Sequence, residues 1–374
     1  MRILVIGHTY MLDVNRDRFY ELAKNQEVEL IIVTPKKWKT DLYVMECEKP
    51  RNDSLRIVPL RCLLTGLESF YFYGFGILKI ICELKPDIIH VEQGADAFSY
   101  FQAILFSKLF SKKSKRMFFT WVNWDANIRF PLTFFEKYNL KYSDCAICGN
   151  HDAAEILREK GFKGLIKVLP QLGVDTVFFR KEDVEELKKS LDIKNFCVGF
   201  LGRFVEEKGL LLLLQACAQV KREVDILLVG DGPLRLRLIE EANRLNLSSN
   251  LKIVPPVMNE KVVPYINCMD VLVLPSFEIP IWREQFGHVL IEAMSCKVPV
   301  IGSSSGEIPN VIGDASLIFK EKDVQDLKEK IELIMNNKGL ANELAKRGLK
   351  RVEDKYTHKK IADETLDIYK ELLS

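Results

Sequence analysis

Short apolar runs alternate with helical periodicity along the whole of this chain, and that alternation admits few architectures. Residues 1–7 read as a buried strand, 16–24 as a helix and 29–34 as a second strand, with further strands predicted at 57–59, 88–91, 117–120 and 145–148. After a helix at 152–160 and an apolar run at 166–170, a charged stretch at 180–189 intervenes. The alternation restarts at 198–201 and continues through 226–229, 252–254, 271–274 and 298–301. Strands apolar on both faces and separated by helices build parallel sheets covered on both sides. The reading is therefore α/β, and 374 residues exceed what one ordinary core holds, so two domains are expected. The expected division is 1–178 and 179–355, with a closing segment 356–374 whose helix carries Ile361, Leu366, Ile368, Tyr369 and Leu372.

Composition excludes several classes. Hydrophobic residues at 48% and charged residues at 28% are the balance of a globular enzyme, and a net charge of +2 does not suggest wholesale nucleic-acid binding. The longest apolar runs, near 77–82 and 210–214, fall far short of a membrane span. Polar His8 and Thr9 follow the first strand with no cleavage-site pattern, so a cytoplasmic location is expected. Nine cysteines, an odd number in mostly apolar surroundings, point to reduced thiols rather than a disulfide framework. Cys145-Ala146-Ile147-Cys148 with His151 nearby has the spacing of half a metal site or a redox pair, but no matching second pair follows, and a buried strand is the competing reading.

The most informative motif is Glu284-Gln285-Phe286-Gly287-His288-Val289-Leu290-Ile291-Glu292, followed by Ala293-Met294 and then Val298-Pro299-Val300-Ile301-Gly302. A helix beginning near His288 leaves Glu284 in the preceding loop and Glu292 one turn inside, at most roughly 12 Å apart by helical rise. Gly287 lets the backbone approach a ligand, and the first helical N–H groups can bind hydroxyls or an anion. A second block, Gly202-Arg203-Phe204-Val205-Glu206-Glu207-Lys208-Gly209, follows a strand. There the planar fork of Arg203 and the compact charge of Lys208 can surround a diphosphate. The Gly230-Asp231-Gly232-Pro233 block reads as a turn. A nicotinamide dinucleotide loop and a phosphate-binding Gly-x-x-x-x-Gly-Lys-Ser/Thr motif are both absent from the sequence.

Together these blocks, with the glycine-punctuated stretch 303–313, resemble the donor site of retaining GT-B glycosyltransferases of family 4 (group 1). The resemblance implies two Rossmann-like domains with a cleft between them and a last helix crossing back to the first domain. It implies a hexosyl transfer from a UDP- or GDP-sugar to a glycan, lipid-linked or small-molecule acceptor, in polysaccharide or glycoconjugate synthesis. In that scheme Arg203 and Lys208 stabilise the leaving diphosphate and Glu284 holds the sugar near its 3-hydroxyl. Glu292 holds the ribose, N–H groups at Phe286, Gly287 and His288 orient the sugar, and Gly202 and Val257 line the nucleotide. No metal is implied, because two cations already serve the phosphates.

The first half departs from the family pattern. Gly7-His8-Thr9-Tyr10 replaces a Gly-Gly loop, with Asn15 after it, and Trp121-Val122-Asn123-Trp124-Asp125 stands where many members have a histidine. Gly7, Asn15, Asn123 and Asp125 are the candidates for the acceptor and sugar side, while Trp121 and Trp124 either stack on a sugar or fill the core. His90 reads as a structural histidine. The basic residues Lys108, Lys112, Lys113, Lys115 and Arg116, interleaved with Phe106, Leu109 and Phe110, are either a solvated helix end or a peripheral contact with an anionic leaflet, as in membrane-associated relatives. The aromatic stretch 70–75 either lines an acceptor channel or is core. The rival functions are a GT-B phosphorylase or epimerase-type enzyme and a non-catalytic sugar-nucleotide binding subunit.

Overall fold

The structure, a computed structural model, describes residues 1–40, 43–124, 128–258 and 261–374. The chain forms two compact units, one of residues 1–173 together with 358–374 and the other of residues 174–357.

In the first unit the strands are β1 (Arg2–Ile6), β2 (Glu29–Pro35), β3 (Lys37–Lys39), β4 (Val44–Glu46), β5 (Arg56–Leu60), β6 (Ile88–Val91), β7 (Lys115–Thr120), β8 (Cys145–Cys148) and β9 (Leu165–Val168). β3 and β4 form a small antiparallel ribbon. The other seven make one parallel sheet in the order β5-β2-β1-β6-β7-β8-β9. Beyond the exposed Arg2, strand β1 is apolar, and both its faces are covered. Leu4 and Ile6 belong to the core on one side, and Ile3 and Val5 to the core on the other. The helix His358–Leu373 completes the second of these cores with Ile361, Ile368, Tyr369 and Leu372.

The second unit carries β10 (Phe196–Leu201), β11 (Val224–Val229), β12 (Leu251–Val254), β13 (Val271–Leu274), β14 (Val300–Ser303) and β15 (Leu317–Phe319), a parallel sheet in the order β12-β11-β10-β13-β14-β15. The chain winds outward from β10 in one direction, then returns to β10 and winds outward in the other. The reversal falls between β10 and β13, where Val198 pairs with Val271. Loops leaving the carboxyl ends of two such strands diverge above and below the sheet and leave a crevice, where open α/β sheets bind ligands.

The expected strands are present with bounds shifted by two residues at most, while β3, β4 and β15 were not expected. The stretch 16–24 begins as a 3₁₀ turn, Asp13–Arg16, before the helix Asp17–Leu22. Part of the charged stretch 180–189 is itself helical, Glu185–Ser190, with glutamates in its first turn and lysines in its last, which suits the helix dipole.

The Cys145 and Cys148 pair is a strand feature, not half a metal site. Three residues apart on β8, their side chains alternate to opposite faces, and each joins a different core. Burial pushes both thiols up to about 12. Among the described residues no cluster of three or more His, Cys, Asp or Glu is placed to hold a metal ion.

Candidate functional site

The reversal point of the second sheet brings together the two motifs that carry chemistry. The loop after β10 contains Arg203 and the one-turn 3₁₀ helix Glu206–Lys208; the loop after β13 contains Glu284. Across 76 residues of sequence the Lys208 Nζ donates to Glu284 Oε2 at 2.5 Å. Ser276 Oγ donates to the same carboxylate oxygen at 2.8 Å, and Ser276 is fully buried. Backbone bonds tie the loops together as well: Phe277 N–H donates to Glu207 O at 2.9 Å. A third loop, after β14, joins through Ser303 Oγ to Ser276 O at 2.5 Å and Glu307 N–H to Glu284 O at 3.0 Å.

The Gly230-Asp231-Gly232 loop after β11 packs on the Arg203 loop. A Cβ at Gly230 would meet the Gly202 carbonyl oxygen at 1.9 Å, so this approach tolerates only glycine. Phe204 N–H donates to Asp231 O at 2.8 Å, closing the floor.

Residues 277–284 make a tight hairpin, with Ile279 and Trp282 exchanging backbone hydrogen bonds of 3.0 and 3.1 Å. Its effect is to set the Trp282 ring centroid 4.9 Å from the Lys208 ammonium, a cation–π contact. Lys208 and Glu284 are both largely covered, with side-chain exposures of 15% and 9%. Arg203 stays exposed at the loop surface.

The helix expected near His288 runs His288–Ser295, with Gly287 as its N-cap at φ +79°. That left-handed backbone suits glycine alone, and a Cβ there would also meet Leu274 Cδ2 at 2.7 Å. Leu290 N–H already donates to Gly287 O at 2.8 Å, which leaves the N–H groups of His288 and Val289 as the ones without an acceptor inside the helix. One turn in, Glu292 Oε1 lies 3.2 Å from His288 Nδ1. Phe286 is buried against Tyr356, ring centroids 5.6 Å apart, and Val257 lies half-buried after β12. Sequence reasoning missed Ser276, Trp282 and Glu307. Ser276 lies two residues past the end of β13 at the reversal point, and that position was the signal available for it.

The first unit gathers polar groups at its own strand ends. Gly7 lies against Glu92, and a Cβ there would meet Glu92 Cβ at 3.1 Å. Buried Glu92 accepts from Arg18 Nη2 and, at 2.9 Å, from Gln171 Nε2. His90 is fully buried, with Nδ1 2.7 Å from the Tyr369 hydroxyl and Nε2 3.0 Å from Glu92. Burial, with the Arg18 charge adding to it, holds the imidazole well below its ordinary pKa. Asn15 donates Nδ2 to Thr9 O at 2.9 Å within the loop after β1. Asn123 is buried, and Asp125 lies outside the described residues. Trp121 is half-buried against one of the cores: its ring covers Gly149 and its Nε1 donates to Gln171 Oε1 at 3.1 Å. Trp124 lines a cavity of about 100 Å³ with Asp96, Thr120, Glu136 and Lys160. In the aromatic stretch, Tyr71 and Tyr73 are core, while Phe75 is 81% exposed.

Residues 183–351 match the model of the glycosyl transferases group 1 family. The capsular polysaccharide biosynthesis glycosyltransferase CapM of Staphylococcus aureus is 32% identical over 194 residues, 51% of this chain and 50% of that protein. The N-acetyl-alpha-D-glucosaminyl L-malate synthase of Bacillus anthracis is 28% identical over 254 residues, 63% of this chain and 62% of that protein. The matches thus span about half to just under two thirds of these relatives. Among solved structures, HepE of Anabaena in complex with UDP superposes with a TM-score of 0.77 at 14% identity, covering 99% of this chain and 100% of that one. A sucrose-phosphate synthase of Thermosynechococcus elongatus gives 0.71 at 21% identity, covering 100% and 99%. The match to the group 1 glycosyl transferases thus lies within the second unit, and the chain as a whole has the GT-B fold of two Rossmann-like domains.

Proposed function

We propose that this chain moves a hexosyl group from a UDP- or GDP-sugar to a glycan, lipid-linked or small-molecule acceptor, with retention at the anomeric carbon in the manner of family 4. The observation that carries the reading is the meeting of Lys208, Glu284 and the N-terminus of helix His288–Ser295 at the reversal point of the second sheet.

The hard step in such a transfer is departure of the nucleoside diphosphate while positive charge builds on the sugar ring. Lys208 and Arg203 face the growing negative charge on the diphosphate, and the covered position of Lys208 strengthens its effect relative to water. Glu284, held by Ser276 and Lys208, is oriented to accept from a sugar hydroxyl, with Glu292 taking the ribose. The first N–H groups of the helix at Gly287 and His288 position the sugar, with Phe286 behind them. Gly202 and Val257 border the nucleotide. No side chain of the donor site is proposed as nucleophile, and the leaving phosphate itself takes the acceptor proton on the face where it departs. The acceptor side is assigned to the first unit, at Gly7, Asn15, Asn123 and Asp125. The CapM relative, named for capsular polysaccharide biosynthesis, supports a role in glycoconjugate assembly.

The test is nucleoside diphosphate release from a panel of UDP- and GDP-sugars by the purified protein, with Glu284→Ala and Lys208→Ala beside it. Release from one donor that both variants lose supports the transferase and names the sugar. Saturable binding without release from any donor, with acceptors added, replaces it with a binding subunit.

A further inference from the structure

The first sheet has a reversal point of its own. The chain winds outward from β1 through β2 to β5, then returns beside β1 at β6 and winds outward the other way. Loops leaving the carboxyl ends of β1 and β6 therefore diverge as those of β10 and β13 do, and leave the same kind of crevice. His8 stands two residues past the end of β1, and Gln93 two past the end of β6. The His8 imidazole is fixed in position: Trp38 of β3 stacks on it with ring centroids 4.6 Å apart, and Tyr71 lies T-shaped against it at 5.9 Å. It is also fixed in one tautomer. Gln93 Nε2 donates to Glu68 O at 3.0 Å and Ser99 Oγ donates to Gln93 Oε1 at 2.5 Å, which sets the direction of the amide. The other N–H of that amide faces His8 Nδ1 at 3.3 Å, so Nδ1 accepts and the proton of the neutral ring sits on Nε2. Burial, opposed by the Glu68 charge, holds the imidazole below its ordinary pKa and so neutral at pH 7. Nε2 lies 3.7 Å from Glu68 Oε1, and the two side chains are 20% and 74% exposed. That gap is too long for a hydrogen bond and short enough for one oxygen to bridge. The backbone beside Glu68 is tied down, with Tyr71 N–H on Leu67 O at 3.0 Å and Phe98 N–H on Ser69 O at 2.8 Å.

We propose that His8 and Glu68 together bind a hydroxyl group of a neutral, polyhydroxylated acceptor, a glycan or polyol. The proposal rests on the reading of the first unit as the acceptor side and names the class of acceptor. A hydroxyl oxygen accepts from Nε2–H and donates to the carboxylate at the same time, which satisfies both partners. An ionised carboxylate or phosphate has no proton for Glu68 and meets its charge at close range. An ammonium suits Glu68 but has no lone pair for Nε2–H. The pair therefore selects as much by rejecting charged groups of either sign as by attracting the neutral one.

The experiment is a ligand-observed NMR titration of the purified full chain. The neutral probes are the methyl glycosides of glucose, galactose, mannose and N-acetylglucosamine; the anionic probes are methyl glucuronide and glucose 6-phosphate. At least one neutral glycoside is expected to bind saturably and more tightly than either anionic probe. His8→Phe keeps a ring on Trp38 and removes the N–H, and should weaken that binding about tenfold; His8→Gln restores an N–H and should recover part of it. Glu68→Gln changes an exposed side chain and removes only its charge, and should narrow the gap between neutral and anionic probes about tenfold. No saturable binding of any neutral glycoside, tighter binding of an anionic probe, or equal affinities in the wild type, His8→Phe and Glu68→Gln would each overturn the proposal. Binding of these probes requires no turnover, so the two readings fail separately. Nucleoside diphosphate release without neutral glycoside binding overturns this proposal alone, and neutral glycoside binding without release from any donor overturns the transferase reading alone.

Discussion

Lys208 and Glu284 form an ion pair of 2.5 Å whose carboxylate also accepts from Ser276 and whose ammonium rests on Trp282. Removing either member strands the other in a largely covered position, where an unpaired charge costs about 3 kcal/mol or more. Glu284→Ala and Lys208→Ala should each lower kcat/KM for donor turnover by about 10²-fold or more. The double variant should lose far less than the product of the two, because each single change already breaks the pair. Steady-state kinetics on all three proteins checks this.

Trp282 is expected to act through Lys208. Trp282→Ala should raise the Kd for nucleoside diphosphate by about 3- to 30-fold, the span of a partly covered cation–π contact, and Trp282→Phe should restore part of the loss. Calorimetric titration reads this directly. Equal affinity for all three proteins would remove Trp282 from the phosphate site.

Gly287→Ala combines a left-handed backbone with a contact too close to Leu274. It should destabilise the second unit by about 1–3 kcal/mol and misdirect the helix start, visible as a lower midpoint in urea and weaker donor binding.

His90 and His8 both have imidazoles held below the ordinary value of 6.5, in each case chiefly by burial. The unfolded chain then binds more protons than the folded one below that value, so stability is fully present above about pH 6.5 and falls as the pH drops below it. The slope for His90 is about 1.4 kcal/mol per pH unit. Melting temperatures from pH 7.5 to 5 should show the fall, and His90→Gln should flatten it.

Cys145 and Cys148, pushed up to about 12 by burial, should resist a thiol reagent at pH 8 in the folded protein and react once it is unfolded. A stoichiometric colour assay before and after denaturation distinguishes this from an accessible redox pair.

Much of the second unit's local structure was legible because its motifs are local. Glycine turn and helix start lie within a few residues of one another around Gly287, so the apolar pattern and the glycine together placed a helix near His288. The partners of those motifs were not legible. Ser276 and Trp282 lie on the loop that carries Glu284, but a hairpin turns Trp282 toward a lysine far away in sequence, and no spacing rule reports such a turn. The basic run around Lys108 was visible, but the Tyr142 ring that Lys108 lies over comes from a second helix.

The sequence by itself determined the class of fold and which charged residues and glycines cluster after the strands of the second unit. Both follow from short-range regularities: apolar runs are buried on two faces, Gly287 takes the left-handed position at a helix start, and charged residues placed just after a strand lie on the loop that leaves it. Tertiary structure alone decided which of those charges meet. The order in which strands join a sheet is set by packing among distant elements, and it is the reversal between β10 and β13 that brings Lys208 to Glu284.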